Sequence, residues 1–280
     1  MALILKNKYY LYAFNELIGG TMCNGGGGII CPDIQLMSED DFWKFFIDIN
    51  GNKERFYIKK GVLKKSELQA MYVETFYNFR LNGHCYIRPE MRIHHGDVVV
   101  DSGGCEGYYA RYALNMGASK VIIFEPCPEL AEGLRRTFEE EIATEKVLVI
   151  EKALGRKKSN DILYVDRNMF CSSSIATENK HALKREVAVI SLDEALRDIG
   201  ISHIDVYKMD IEGAEVEAVM GARKTIKTCH PKMIIATYHS YYNAIRIRNI
   251  CMQIDDKYKC RVYGCYQAKK PFRPYITFLR

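Results

Sequence analysis

Gly96-Asp97-Val98-Val99-Val100-Asp101-Ser102-Gly103-Gly104-Cys105-Glu106-Gly107 is the stretch whose reading decides the fold. Three consecutive valines signal a buried strand, and the strand runs into a glycine-rich turn that opens a helix over 108–116. Glycines at such a turn let the backbone approach a ligand closely and adopt positive φ. The next apolar run, Val121-Ile122-Ile123-Phe124, ends in Glu125, eighteen residues beyond Gly107. A doubly wound fold places an acid there to accept hydrogen bonds from a ribose diol.

The spelling of the loop narrows the ligand. A dinucleotide site uses G-x-G-x-x-G and the start of a helix to hold a pyrophosphate. This chain has Asp101-x-Gly103-Gly104-x-x-Gly107 instead, with an acid at the strand end. An acid suits a cationic ligand such as S-adenosylmethionine, so the loop favours a methyl donor over NAD.

Outward from the loop, apolar runs alternate with amphipathic stretches. Val147-Leu148-Val149-Ile150 leads into a polar crossover, the strand 204–209 into a helix over 212–226, and Met233-Ile234-Ile235-Ala236 into a helix over 242–254. That rhythm predicts an α/β, doubly wound, mostly parallel sheet with helices on both faces. Arg261-Val262-Tyr263 and Tyr275-Ile276-Thr277-Phe278 predict an antiparallel hairpin at its C-terminal edge. Residues 1–85 lack the alternation and read as a helical N-terminal appendage to a domain over 86–280. Ser38-Glu39-Asp40-Asp41 predicts the start of one helix through Phe42-Trp43-Lys44-Phe45-Phe46-Ile47, closed by Asn50-Gly51, and a second helix spans 66–79. The run Gly25-Gly26-Gly27-Gly28 lacks the Lys and Ser or Thr of a phosphate loop and reads as a mobile loop of the kind that can close over a substrate.

Composition bounds the partners. The 280 residues carry 40 basic and 35 acidic side chains, dispersed along the chain, a +5 balance too weak to imply nucleic-acid binding. Ten cysteines fall at irregular spacing without a C-x-x-C pair, which fits reduced thiols and a cytoplasmic location. The apolar residues 1–14 are interrupted by Lys6 and Lys8 and match neither a signal peptide nor a membrane span. The sequence specifies no oligomeric state.

Five ordered blocks carry a family resemblance: the 96–109 loop through Tyr108-Tyr109, Phe124-Glu125-Pro126, Lys152-Ala153-Leu154-Gly155, Ile190-Ser191-Leu192-Asp193-Glu194 and Tyr207-Lys208-Met209-Asp210-Ile211-Glu212-Gly213-Ala214-Glu215. Over residues 86–242 the chain resembles the FkbM family of methyltransferases. The resemblance implies a class I, Rossmann-like methyltransferase and transfer of a methyl group from S-adenosylmethionine to a hydroxyl of a sugar, glycan or glycosylated natural product. It also implies a donor site from Asp101, Gly103, Gly104, Cys105, Gly107 and Tyr108 near the methionine part, Glu125 with Pro126 at the ribose, and Ala153 and Leu154 beside the adenine.

Methyl transfer to a hydroxyl needs alignment and a base. Asp210 at the end of the fourth strand is the expected base, or a ligand to an assisting divalent metal. Glu212 and Glu215, three apart, are expected on one face of the following helix. His239, after the fifth strand, is a second candidate base. Ser172-Ser173-Ser174 is a candidate contact for acceptor or adenine, and His94-His95 are expected at the surface. No metal-ligand pattern is present, so a divalent metal is admitted but not indicated. Two other readings are weighed: a nucleotide-dependent oxidoreductase or epimerase, which lacks its glycine spelling and a Tyr-x-x-x-Lys pair, and a non-catalytic binding protein on the same fold, against which the intact loop, Glu125 and Asp210 stand.

Overall fold

The computed structural model describes residues 32–77, 79, 82–166, 170–264 and 273–280. The 25–28 glycine run and the 1–14 segment lie outside them.

The first unit among the described residues corrects the expectation of a helical N-terminal region. Strands β1 (Met37–Glu39), β2 (Phe42–Ile49) and β3 (Asn52–Lys59) form an antiparallel sheet. The period is two: Phe45, Ile47 and Ile49 are buried on one face of β2. Asn50 and Gly51, at φ 56° and 84°, make the two-residue turn that pairs Ile49 with Asn52. Asn-Gly between alternating apolar residues is a hairpin signal, and it outweighs the acids before Phe42 as a helix start. Helix α1 (Lys65–Phe76) follows as expected. Phe56 of β3, Tyr72 and Phe76 of α1 and the fully buried Tyr108 meet ring to ring at 5.0–6.2 Å, so this region shares the main core.

The main sheet takes strands β4 (Val98–Ser102), β5 (Lys120–Phe124) and β6 (Val147–Ile150) in turn. Helices α2 (Tyr108–Asn115), α3 (Pro128–Thr137) and α4 (Glu139–Ala143) intervene. The expected polar crossover is a small separate sheet of β7 (Ala153–Leu154), β8 (Ser159–Val165) and β9 (Leu183–Ile190). After α5 (Leu192–Asp198) come β10 (Val206–Met209), α6 (Glu215–Met220), α7 (Arg223–Cys229), β11 (Lys232–Ala236) and α8 (Asn243–Ile254). Strands β12 (Cys260–Tyr263) and β13 (Ile276–Leu279) end the chain. The single helix expected over 212–226 is two: α6 ends at its C-cap, Gly221, where a side chain would meet the Gly155 carbonyl at 2.1 Å, and α7 starts after Ala222.

Seven strands lie in the order β12-β13-β11-β10-β4-β5-β6. The C-terminal hairpin does reach the edge, but β13 inserts between β11 and β12 and is the strand that runs against the rest. Alternate residues of each central strand feed two cores: Val99, Ile123, Val206 and Ile234 face one, Val100, Ile122, Tyr207 and Ile235 the other. A sheet buried on both faces reads as continuous apolar runs, which is why these strands were legible.

The chain leaves β4 toward β5 on one side, while β10 pairs with β4 on the other, so the crevice at the carboxyl ends of β4 and β10 is the topological switch point. Gly103 (φ 79°) sits there, where a Cβ would lie 1.8 Å from the Asp210 carbonyl oxygen. Gly103→Ala is expected to destabilise by about 3 kcal/mol or more in urea unfolding, combining positive-φ strain with an overpacked backbone contact. Wild-type stability would show that the loop is not held against Asp210.

Candidate active site

The turn after β4 is built from the backbone outward. Gly103 N–H donates to Phe124 O at 2.9 Å and Asp210 N–H to Ser102 O at 2.9 Å, which ties the ends of β4, β5 and β10 together. Cys105 takes a left-handed φ of 45° and its N–H donates to Glu125 Oε2 at 3.0 Å; Cys127 N–H donates to Glu125 Oε1 at 3.0 Å. The Glu125 carboxylate therefore braces the loop it faces. Burial pushes its carboxyl up to about 7 against the pull of those two amides, and burial raises that of Glu106 to about 7 as well.

A cavity of about 250 Å3 opens over this turn. Gly103, Gly104, Cys105, Glu125, Pro126, Ala153 and Leu154 all line it, as do Asp210 and Glu212. Three expected ligand residues do not. Tyr108 is wholly buried among Phe56, Tyr72 and Phe76, with its hydroxyl on Leu68 O at 3.3 Å; its neighbour Tyr109 faces the cavity. Gly107 packs on Phe138 and Leu134, where a Cβ would lie 2.8 Å from the ring. Asp101 lies beneath the loop and is neutralised from within: Lys208 Nζ is 2.9 Å from Asp101 Oδ1 and donates to Gly103 O at 2.8 Å. Its cation is thus a lysine of the neighbouring strand, not a ligand. Burial opposes the charge on Lys208, but Asp101 and Asp210 outweigh it and raise its pKa. Lys208 was hidden in the sequence by the apolar strand around it; an isolated lysine in such a run is the signal.

The cavity is acidic. Glu74, Glu106, Glu125, Asp210 and Glu212 line it against Lys152 and the paired Lys208.

At its rim the three expected catalytic residues come together. Glu212 is not on a helix face with Glu215: at φ 53° it precedes Gly213 (φ 107°) in the turn before α6. The turn is held by Ser174, whose Oγ donates to Glu212 O at 2.6 Å and accepts from Ala176 and Thr177 N–H. His239 Nε2 lies 3.2 Å from Glu212 Oε2 and 3.6 Å from Asp210 Oδ1, and Nδ1 lies 2.9 Å from Glu215 Oε1. Glu215 is fully buried and also accepts from Ile211 N–H, Gly213 N–H and Asn243 Nδ2. Burial disfavours the imidazolium, but Glu215, Glu212 and Asp210 hold the His239 pKa well above the usual value. Asp210, Glu215 and His239 offer ligand-type atoms within 4.8 Å of one another, among the described residues. His239 Nε2 stands within 3.6 Å of both Asp210 and Glu212, and the Glu215 oxygens accept from amides.

A second cavity, of about 320 Å3, adjoins the first and shares Ser172, Glu212 and Tyr238 with it. Its remaining wall includes His239, Tyr164, Asp166, Ser174, Thr177, Asn179 and Arg273. Arg273 Nη1 donates to Tyr238 O and His239 O at 3.0 and 2.9 Å. Sequence reasoning also missed Tyr86, whose hydroxyl donates to Asp210 Oδ2, and His84 behind it; both precede the recognisable blocks. His94 and His95 are exposed, the seven described cysteines are free, and no helix among the described residues is long and apolar enough to cross a membrane.

This strand order, glycine turn and acid after the second strand define a class I methyltransferase fold. A Methyltransferase FkbM domain model matches residues 95–256, and the chain belongs to the FkbM methyltransferase family and is a methyltransferase. It is 25% identical over 189 residues to the methyltransferase sdnD of Sordaria araneosa, a match covering 57% of this chain and 70% of that one. The structure resembles that of a methyltransferase FkbM from Methylobacillus flagellatus KT at a TM-score of 0.52 and 19% identity, covering 79% of this chain and 56% of that one. The chain thus spans little more than half the length of that structure, which bears on fold alone.

Lys208→Met strands Asp101 uncompensated in the core and is expected to cost about 3–5 kcal/mol in chemical denaturation, with Asp101→Asn in the same chain recovering part of it. Equal losses in the single and double variants would show that the pair carries no coupling.

Proposed function

We propose that the protein transfers the methyl group of S-adenosylmethionine to a hydroxyl of a sugar, glycan or glycosylated natural product. The observation that carries this reading is the acid-lined cavity meeting a polar one at Ser172, Glu212 and Tyr238, with Asp210 on the wall of the first. Five acidic side chains, two of them with a pKa raised by burial to about 7, against two ammonium groups, one already paired with Asp101, favour a cationic donor over a pyrophosphate, which also weighs against an oxidoreductase. In this reading Gly103, Gly104 and Cys105 lie along the methionine part, and Glu125 takes the ribose hydroxyls on the lone pairs its two amides leave. Pro126, Ala153 and Leu154 enclose the adenine, while Asp101, Gly107 and Tyr108 support the loop from behind. The second cavity, whose wall combines hydroxyls, an amide and a guanidinium with Asp166, Glu212 and His239, suits a polyhydroxylated acceptor.

The bound donor supplies an activated methyl, whose carbon passes to the acceptor oxygen while sulfur keeps the electrons of the broken C–S bond. The chain's part is to align the hydroxyl and take its proton. Asp210, which lines the first cavity, is the base in this reading. Glu212, facing both cavities, positions the acceptor, and His239 keeps the two carboxylates from repelling each other.

Calorimetry is expected to show S-adenosylmethionine binding and no NAD binding, and a labelled-methyl assay on fractionated glycans and glycosides to show transfer to hydroxyls, undiminished by a chelator. Tight NAD binding without donor binding would overturn the reading. Asp210→Asn should lower kcat by about 10²–10⁴ with donor affinity changed less than about twofold; full activity would dismiss the base. Glu125→Ala should weaken donor binding by about 1–3 kcal/mol, and unchanged affinity would remove the ribose role.

A further inference from the structure

The segment before the family match reaches the reacting centre. Asn82 Nδ2 donates to Val73 O and Glu74 O at 2.9 and 3.1 Å, and Cys85 Sγ to Thr75 O at 3.3 Å, stapling residues 82–86 to the last turn of α1. This brings His84, almost fully buried, between two groups. Its Nδ1 lies 3.5 Å from Glu74 Oε1, and its Nε2 lies 3.2 Å from the Tyr86 hydroxyl. The ring stacks on Tyr275 at 4.9 Å and meets Tyr238 edge-on at 5.1 Å, so it has little freedom to turn. Tyr86 in turn donates its one proton to Asp210 Oδ2, while Oδ1 is sealed from solvent without a hydrogen bond and lies 3.6 Å from His239 Nε2.

We propose that Glu74, His84 and Tyr86 form a one-way hydrogen-bond chain that fixes the orientation of the Asp210 carboxylate through Oδ2. The proposal rests on Asp210 being the base. Donors and acceptors match along it: His84, carrying both ring protons, donates Nδ1–H to the Glu74 carboxylate and Nε2–H to Tyr86 Oη, and Tyr86 O–H donates to Asp210. Each residue is a positioning residue, acting through the next.

The chain depends on pH through His84. The charged groups that face it are Glu74 from α1, Asp210 from the β10 end and His239 from the β11 end. Burial lowers its pKa, but Glu74 and Asp210 outweigh burial and the opposing His239, and the net shift is upward. Below that pKa the chain is complete. Above it the ring loses the Nε2 proton, Tyr86 is free to donate to the bare nitrogen instead, and Asp210 loses its orientation. Activity should therefore fall on the alkaline side.

The test compares the kcat–pH profile of the 280-residue protein with those of Glu74→Gln, His84→Gln and Tyr86→Phe, with donor affinity by calorimetry. Glu74 is half-exposed, so its variant keeps the fold. Glu74→Gln should move the alkaline limb to lower pH by about 0.5–1 unit, since an opposing charge is lost. His84→Gln, whose amide donates to Tyr86 at every pH, should keep at least a tenth of the activity and lose that limb. Tyr86→Phe should lower kcat about tenfold with donor affinity within twofold. Wild-type profiles for both Glu74→Gln and His84→Gln, or a Tyr86→Phe loss that lies in donor affinity, would overturn the chain. Full activity in Asp210→Asn would instead overturn the base on which it rests.

Discussion

The ion pair between Asp101 and Lys208 holds the two strands on which everything else is mounted. These residues face each other in register across parallel neighbours β4 and β10, both almost fully buried, and the Lys208 ammonium also binds the Gly103 carbonyl. The glycine turn leaves one strand and the Asp210 turn leaves the other. Their separation is therefore set by one strand spacing, roughly 4.8 Å, and by the contact of Gly103 with the Asp210 carbonyl. A buried pair of this kind is weak evidence of stability in itself. Its use here is geometric: it keeps the two turns abreast.

That arrangement explains the electrostatics above it. Carboxylates gather on both turns, and burial alone would push several of them toward neutrality, as it does Glu106 and Glu125. The cations that offset them are internal, Lys208 under the loop and His239 at the rim, each held charged by its acidic neighbours. In the proposed reading a cationic donor completes the balance between them.

The sheet was legible because strands buried on both faces are unbroken apolar runs, as in Val98-Val99-Val100 and Val121-Ile122-Ile123-Phe124. Cavity-lining positions such as Gly103, Glu125 and Leu154 were legible through ordered blocks. Other features depend on what lies opposite in space, which spacing does not encode. Tyr108 and Tyr109 are adjacent and alike, yet only packing of Phe56 and Phe76 decides which one is core. Asp101 looked like a ligand because its partner is more than a hundred residues away. Asn50-Gly51 carried the hairpin signal plainly, but the acids before Phe42 imitated a helix start. Glu74, His84 and Tyr86 stand in no motif and meet only because the 82–86 segment folds back on α1.

The most direct measurement is a crystal structure of the protein with S-adenosylhomocysteine, the demethylated product of the proposed donor. The account predicts the product in the cavity over 103–105, its ribose hydroxyls on Glu125 and its sulfur beside Asp210, facing the second cavity. Product bound away from Glu125, or with its sulfur turned from Asp210 and the second cavity, would contradict it.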